Sequence, residues 1–200
     1  MHYITNILYW ISTGLLVPVI LLLIYFFVRA LLLVGGFFGQ FLDLRKSQAR
    51  LRPVIDALTS DNLNTLAEAL PKKSRSLSVD CMKQVLDAQD DVTRVEKLLS
   101  DFELEAEKDM ELPKTLAKMG PMLGLMGTLI PMGPALVGLA NGDIASMAYN
   151  MQVAFATTVV GLFSSAVGFV TRQTKQRWYA RDLNDLEFVA NRIKEKYAKP

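Results

Sequence analysis

Apolar and polar positions alternate along this chain in long blocks rather than residue by residue. Residues 11–38 carry one charge, and residues 119–140 and 147–171 carry none. A helix needs about 20 mostly apolar residues to cross a hydrocarbon core of about 30 Å. The pattern therefore predicts an all-α membrane protein with three transmembrane helices, at 11–38, 119–140 and 147–171.

The segments between these blocks are polar or short. Residues 1–10 are predicted to form a short outer N-terminus, and residues 141–146 are predicted to form an outer turn that contains Asp143. Residues 39–118 are predicted to be a cytoplasmic helical region. Residues 172–200 are predicted to continue the third transmembrane helix into a cytoplasmic C-terminal helix.

The polar block contains one strongly amphipathic stretch. From Ser78 to about Glu111 the pattern predicts a single long helix, with a bend at Pro113 into the second transmembrane helix. Its apolar residues recur every three or four positions: Met82, Leu86, Val92, Val95, Leu99, Phe102, Ala106 and Met110. Such a stripe must pack on something, either another helix of this chain or a neighbouring subunit.

The basic residues indicate the orientation of the chain. All 22 Lys and Arg lie in residues 29–118 or 172–199, and the acids share these regions except for Asp143. Because cytoplasmic segments carry an excess of Lys and Arg, the N-terminus is predicted outside and the C-terminus in the cytoplasm. Arg29 either reaches the inner headgroups or is a partnered charge within the bundle; we favour the former.

The composition is unfavourable for an enzyme. One cysteine excludes an internal disulfide, and with one histidine there is no metal-ligand cluster. The chain has no phosphate-binding glycine loop, so we expect no catalytic residue, no metal and no cofactor. The N-terminal apolar stretch is too long for a signal peptide and is expected to remain as an anchor.

The second and third spans are rich in small and hydroxyl-bearing residues that share helical faces. In the second span these are Gly120, Gly124, Gly127 and Thr128; in the third they are Ala154, Thr157, Thr158, Gly161, Ser164, Ser165 and Gly168. Small residues let helices approach closely in lipid, so one interpretation is tight packing, with hydroxyls bonded to carbonyls of their own helix. The other interpretation is that these faces form a surface along which a narrow, polar species moves.

Neither of these two spans contains an Asp, Glu, Lys, Arg or His. A hydroxyl cannot titrate near pH 7, so the chain alone lacks a proton-carrying group at membrane depth. If the protein moves ions, the carboxylate must come from a partner helix.

Two motifs and their order resemble a known family. Gly-Pro-Met-Leu-Gly-Leu-Met-Gly-Thr at 120–128 and Ala-Phe-Ala-Thr-Thr-Val-Val-Gly-Leu at 154–162 are similar to the MotA/TolQ/ExbB proton channel family, closest to its ExbB and TolQ branch. The resemblance implies an ExbB-like fold. It also implies a homopentamer around a dimer of a single-span partner similar to ExbD or TolR, which carries a membrane Asp.

The resemblance also implies roles for residues. Ion flow would be converted into mechanical work across the cell envelope, with protons, or alternatively sodium, as the transported ion. Thr128 and Thr158 match the family's threonines of the second and third spans. The hydroxyls expected to line the pore are Thr128, Thr158, Thr157 and Ser165. On the basis of their small size and not of the resemblance, the glycines expected to pack helices are Gly120, Gly124, Gly127, Gly161 and Gly168.

Two departures from the family pattern are visible. Val153 stands where branch members carry a Glu, five residues before the third-span threonine. Pro131 and Pro134 stand where the family has Gly and apolar residues, and we expect them to shape the pore by freeing backbone carbonyls.

Two alternative functions make different demands on the sequence. A non-conducting membrane scaffold would recruit soluble partners through the apolar stripe from Met82 to Phe102. A small-molecule transporter subunit is disfavoured, because three spans without an internal repeat or a midplane charge do not fit that class.

Overall fold

The computed structural model describes residues 2–58, 66–67, 69–71 and 76–198. Four long helices account for most of them: α1 (His2–Asp56), α2 (Leu77–Asp87), α3 (Val92–Ala140) and α4 (Ile144–Ala198). No strand occurs among the described residues. Three of the helices contain stretches long and apolar enough to cross a membrane, within Ile7–Leu44, Val92–Ala140 and Ile144–Lys196. The predicted all-α membrane fold with three such helices is confirmed.

The chain divides into two compact units, each with its own core. The first, which we name the apolar unit, comprises Met1–Val34 and Leu112–Arg172. Its core forms where α1 packs on α3, from Val19, Leu23, Phe26, Ala30, Leu116 and Leu123. Most other large side chains of this unit are exposed, which is the pattern of helices surrounded by lipid or by other helices.

A three-residue turn joins α3 to α4 in the apolar unit. Gly142 adopts a positive φ of 73°, a conformation that glycine reaches without a steric penalty. The amide of Asp143 donates to the carbonyl of Gly138, and the amide of Gly142 donates to that of Leu139, so the end of α3 is a Schellman cap. The Asp143 carboxylate accepts from the Ser146 amide at 2.9 Å and caps the N-terminus of α4. The lone charge of the hairpin therefore has a structural partner.

The second unit, the polar unit, comprises Gly35–Glu111 and Gln173–Pro200. Its core is conventional for a protein in water, because large aliphatic side chains from several helices are fully buried together. Its fully buried members include Val85 of α2, Val95 of α3, and Leu186, Val189 and Ile193 of α4. The apolar stripe from Met82 to Phe102 packs into this core. Of the two packing partners expected for it, the structure therefore shows other helices of the same chain.

The predicted continuous helix from Ser78 to Glu111 is wrong. α2 ends at Asp87 and α3 begins at Val92. The Asp91 carboxylate accepts from the Arg94 amide at 3.1 Å and caps the new helix. In the intervening turn, the amide of Asp91 donates to the carbonyl of Ala88. The break lets α2 and α3 present their apolar residues to the same core.

The bend expected at Pro113 falls inside a continuous helix, and it stays a prediction. α3 continues as a helix through Pro113, Pro121, Pro131 and Pro134. Each of these prolines removes one donor from the helix, so carbonyls four residues earlier lose their helical partner.

Candidate functional site

Glycine residues bring the backbones of α3 and α4 together in the apolar unit. A methyl group added at Gly161 would lie 2.7 Å from the carbonyl oxygen of Gly120 and 2.8 Å from the Cα of Gly124. Both distances are shorter than carbon atoms tolerate, and both involve backbone rather than movable side chains. The two helices therefore touch at the level of their main chains, as small residues permit in lipid.

The same contact extends in both directions along the hairpin. A methyl at Gly127 would lie 2.6 Å from the Thr157 side chain, and one at Gly168 would lie 2.7 Å from the Pro113 carbonyl oxygen. Thr157 is buried at this point, with its hydroxyl donating to the carbonyls of Val153 and Ala154. All five glycines singled out from the sequence lie in the α3–α4 contact: Gly120, Gly124, Gly127, Gly161 and Gly168.

The hydroxyl of Ser165 supplies a hydrogen-bond donor in place of the amide hydrogen that Pro121 lacks. Pro121 has no amide hydrogen, so the carbonyl of Ala117 lacks its usual helical donor. The Ser165 hydroxyl of α4 donates to that carbonyl at 3.0 Å. In a membrane an unsatisfied carbonyl costs free energy, so this bond fastens the two helices where α3 would otherwise be weakest. The Ser165 hydroxyl thus forms a hydrogen bond between α4 and α3 of the same chain.

The other two hydroxyls lie at the edge of the contact. Thr128 donates to the Leu125 carbonyl at 2.7 Å, and Thr158 donates to the Ala154 carbonyl at 3.0 Å. Both side chains are half-buried, and the Cα of Thr158 lies 3.6 Å from a methyl placed at Gly124. Each hydroxyl oxygen keeps lone pairs that its own helix does not use, because donation occupies only the hydrogen.

The two prolines nearest the turn lie in the same hairpin. Pro131 is fully buried and Pro134 is half-buried. They remove the helical donors to the carbonyls of Gly127 and Ile130, four residues earlier in each case. The carbonyl of Gly127 belongs to the turn of α3 that packs on Thr157. Polar backbone groups therefore accompany the hydroxyls at this level of the hairpin.

The polar unit contains a charged cluster that the sequence analysis missed. Lys175 of α4 is 5% exposed and donates to Asp109 of α3 at 2.6 Å, and the Tyr179 hydroxyl donates to the same carboxylate oxygen at 2.6 Å. Burial, then the hydrogen bond to Asp109, raises the pKa of Tyr179 above its ordinary range. A signal was present: Asp109 and Lys175 both lie 33 residues from Gly142, so an antiparallel hairpin turning there brings them level.

A comparison with family models decides the assignment. The model of the MotA/TolQ/ExbB proton channel family matches residues 64–187, more than half of the chain. The chain belongs to the MotA/TolQ/ExbB proton channel family. No curated protein matches it significantly. The family that the motifs at 120–128 and 154–162 indicated is confirmed, while its ExbB and TolQ branch stays a prediction.

Membership of the MotA/TolQ/ExbB family implies a channel or motor type of function in a membrane, and the family is not one of enzymes. The match includes all of α3 and α4 as far as Glu187, and therefore the whole hairpin with its glycines, hydroxyls and prolines. This hairpin is the candidate functional site.

Proposed function

We propose that the protein is an ion channel and motor subunit in which α3 and α4 from several copies line a central passage. Five copies would surround a dimer of a single-span, ExbD- or TolR-like partner that carries a membrane Asp. The transported ion is a proton, with sodium as the alternative, and its flow drives mechanical work across the inner membrane. The observation that carries this proposal is a family hairpin that has hydroxyls but no ionisable side chain in its spans.

The absence of charge in the hairpin defines what the partner must supply. Residues 119–142 and 144–171 contain no Asp, Glu, Lys, Arg or His. Hydroxyls and freed carbonyls can hold water or coordinate a cation, but they do not exchange protons near neutral pH. A carboxylate from a second polypeptide is therefore required, and pairing it with hydroxyls would lower the cost of its charge at membrane depth.

The structure supports different roles for the hydroxyls. Thr157 and Ser165 are engaged between α3 and α4 within one chain. Thr128 and Thr158 are half-buried and, among the described residues, are hydrogen-bonded only to their own helices. We therefore assign Thr128 and Thr158 the main contact with the passage, and we give Thr157 and Ser165 a supporting position behind them. Pro131 and Pro134 would shape the passage by adding polar carbonyls.

Substitution of Thr158 tests this function. Thr158→Val keeps the shape of the side chain and removes the hydroxyl, so we expect ion uptake by membrane vesicles from the source cells to fall by at least about tenfold. Thr158→Ser should retain most of the uptake, and native mass spectrometry should show unchanged assembly. Val159→Ala, at a 67% exposed neighbour, is the matched control. Wild-type uptake in Thr158→Val would overturn the assignment of this residue to the ion path.

A further inference from the structure

The polar unit bears an acidic row on α3 and a basic pair on α4 that no other described residue neutralises. Glu103, Glu107 and Glu111 lie four residues apart and are exposed. Arg177 and Arg181 are also four apart and exposed. Among the described residues, none of these five side chains has an ion pair or hydrogen-bond partner. We name these sets the glutamate row and the arginine pair.

Like charges four residues apart on one helix repel each other and destabilise it. Of the neighbouring lysines, Lys108 pairs with Glu105 at 3.5 Å on its own helix. Lys114, three residues after Glu111, forms no ion pair with a carboxylate among the described residues. Lys194 pairs with Glu96 at 2.7 Å. Both charged sets therefore gain by meeting an opposite charge from outside the chain.

Glu103 and Glu107 of the glutamate row lie at the same level of the α3–α4 pair as the arginine pair. Two contacts set the register: Asp109 with Lys175 at 2.6 Å, and the rings of Phe102 and Tyr179 at 6.1 Å. Glu103 and Glu107 lie between the two α3 positions in sequence. Arg177 lies between the two α4 positions, and Arg181 lies about half a turn beyond Tyr179.

The charged sets also lie away from the contact between their own two helices. At 100° per residue, the glutamate row is centred roughly 120° from the buried positions Phe102 and Ala106. The arginine pair lies a similar angle from the buried Lys175 and Asp182. The glutamate row and the arginine pair are therefore accessible to a neighbouring molecule.

We propose that the glutamate row of one copy contacts the arginine pair of the next copy around a ring. The proposal rests on the homo-oligomer of the proposed function. In a ring of hairpins α3 and α4 alternate, so each α3 has its own α4 on one side and a neighbour's α4 on the other. Rotation about an axis parallel to the helices leaves residue levels unchanged. The internal register then places opposite charges side by side at every interface, a heterologous contact that closes on itself.

Crosslinking between differently tagged copies tests the contact in the full-length chain. In a Cys81→Ala background, one copy carries Glu107→Cys and the other Arg177→Cys, and a short bismaleimide replaces a disulfide because facing long side chains hold the backbones apart. We expect a crosslinked dimer containing both tags. The matched control pairs Arg177→Cys with Asp87→Cys, an exposed acid on α2, and should give background.

Charge reversal provides the second measurement. Glu103→Arg with Glu107→Arg, or Arg177→Glu with Arg181→Glu, should each weaken association about tenfold or more, because like charges then face each other. Combining all four changes in one chain should restore it, whereas Asp87→Arg should have no effect. High salt should weaken the wild-type contact.

The outcomes separate this proposal from the proposed function. A wild-type chain that is monomeric by native mass spectrometry would contradict the proposed function itself. An intact oligomer with background crosslinking at Glu107 and Arg177, and no effect of reversal, would overturn the contact alone. Loss of binding to anionic vesicles on reversing the arginines, with association unchanged, would assign the arginine pair to lipid and also overturn it.

Discussion

The helices α3 and α4 pack against each other in both units, but by opposite means. In the apolar unit their backbones meet at Gly161 and Gly120 with no side chain between them. In the polar unit large side chains separate them, as where Phe102 packs edge-on against Tyr179 at 6.1 Å between ring centroids. The same pair of helices therefore changes its packing chemistry along its length.

The difference follows from the surroundings of each unit. In water, burying large apolar side chains is the main favourable term, so the polar unit fills its core with Leu, Val and Ile. In lipid no such drive brings helices together, and close backbone contact with interhelical hydrogen bonds replaces it. Removing a methylene should therefore harm one unit, and adding a methyl should harm the other.

The largest expected effect is Leu186→Ala in the polar unit. Leu186 is fully buried with Val85 and Val95, so its truncation leaves a cavity and should cost about 2–5 kcal/mol of unfolding free energy. The loss of unfolding free energy is measured by urea unfolding in detergent, with hydrogen exchange of α2 as the probe of unfolding. Glu187→Ala, at the exposed neighbouring position, should change stability by less than about 0.5 kcal/mol. Equal effects of the two changes would contradict this account of the core.

Gly161→Ala tests the backbone contact between α3 and α4 in the apolar unit. The added methyl meets backbone atoms at 2.7 and 2.8 Å that no rotamer change can move, so we expect a loss of about 1–3 kcal/mol. Thermal unfolding in detergent provides the measurement. Gly14→Ala on α1 adds the same methyl where nothing lies within 4 Å. If both variants melt alike, the α3–α4 contact is looser than described.

A double-mutant cycle on Ser165 and Pro121 should show a smaller effect. Ser165→Ala leaves the Ala117 carbonyl without a donor and should cost about 0.5–1.7 kcal/mol, the range of interhelical hydrogen bonds in membranes. Pro121→Ala returns an amide hydrogen to that carbonyl. Ser165→Ala should therefore cost less in the Pro121→Ala background. Additive effects would show that proline does not create the need for the serine hydroxyl.

The smallest expected effect concerns Cys81, which is buried in the core of the polar unit. Burial, with a contribution from Asp101, raises the pKa of its thiol from 9.0 to about 11. Because the folded pKa is raised, its contribution to stability is full below pH 9 and is lost as the pH rises towards 11. The thiol should react slowly with an aromatic disulfide reagent at pH 8, and Cys81→Ala should flatten the alkaline fall in stability. Rapid reaction in the folded protein would contradict its burial.

Several of these features could be predicted from the sequence, and the reasons are physical. Charge-free stretches reveal helices in lipid, and Gly142 marks the turn because its positive φ suits glycine. Once the turn is placed, the register follows: Gly127 and Thr157 each lie 15 residues from Gly142 and touch. The motifs at 120–128 and 154–162 were then sufficient to indicate the MotA/TolQ/ExbB family.

Other features could not be predicted because they depend on competing tertiary contacts. The periodic apolar stripe does not distinguish one helix from two that share a core, and only the cap at Asp91 marks the break. Likewise, the sequence does not distinguish a serine that lines a pore from one, such as Ser165, whose hydroxyl bonds to a neighbouring helix. Its use between helices depends on Pro121 in a different helix.

The central claim, that Thr158 faces a passage and not lipid, is tested most directly by thiol accessibility in membranes. In a Cys81→Ala background, Thr158→Cys and Val159→Cys place one thiol each on adjacent residues of α4. A membrane-impermeant methanethiosulfonate should modify Thr158→Cys at least about tenfold faster, because the reagent needs water and the thiolate. Equal, slow modification of both thiols would contradict an aqueous path along this hairpin.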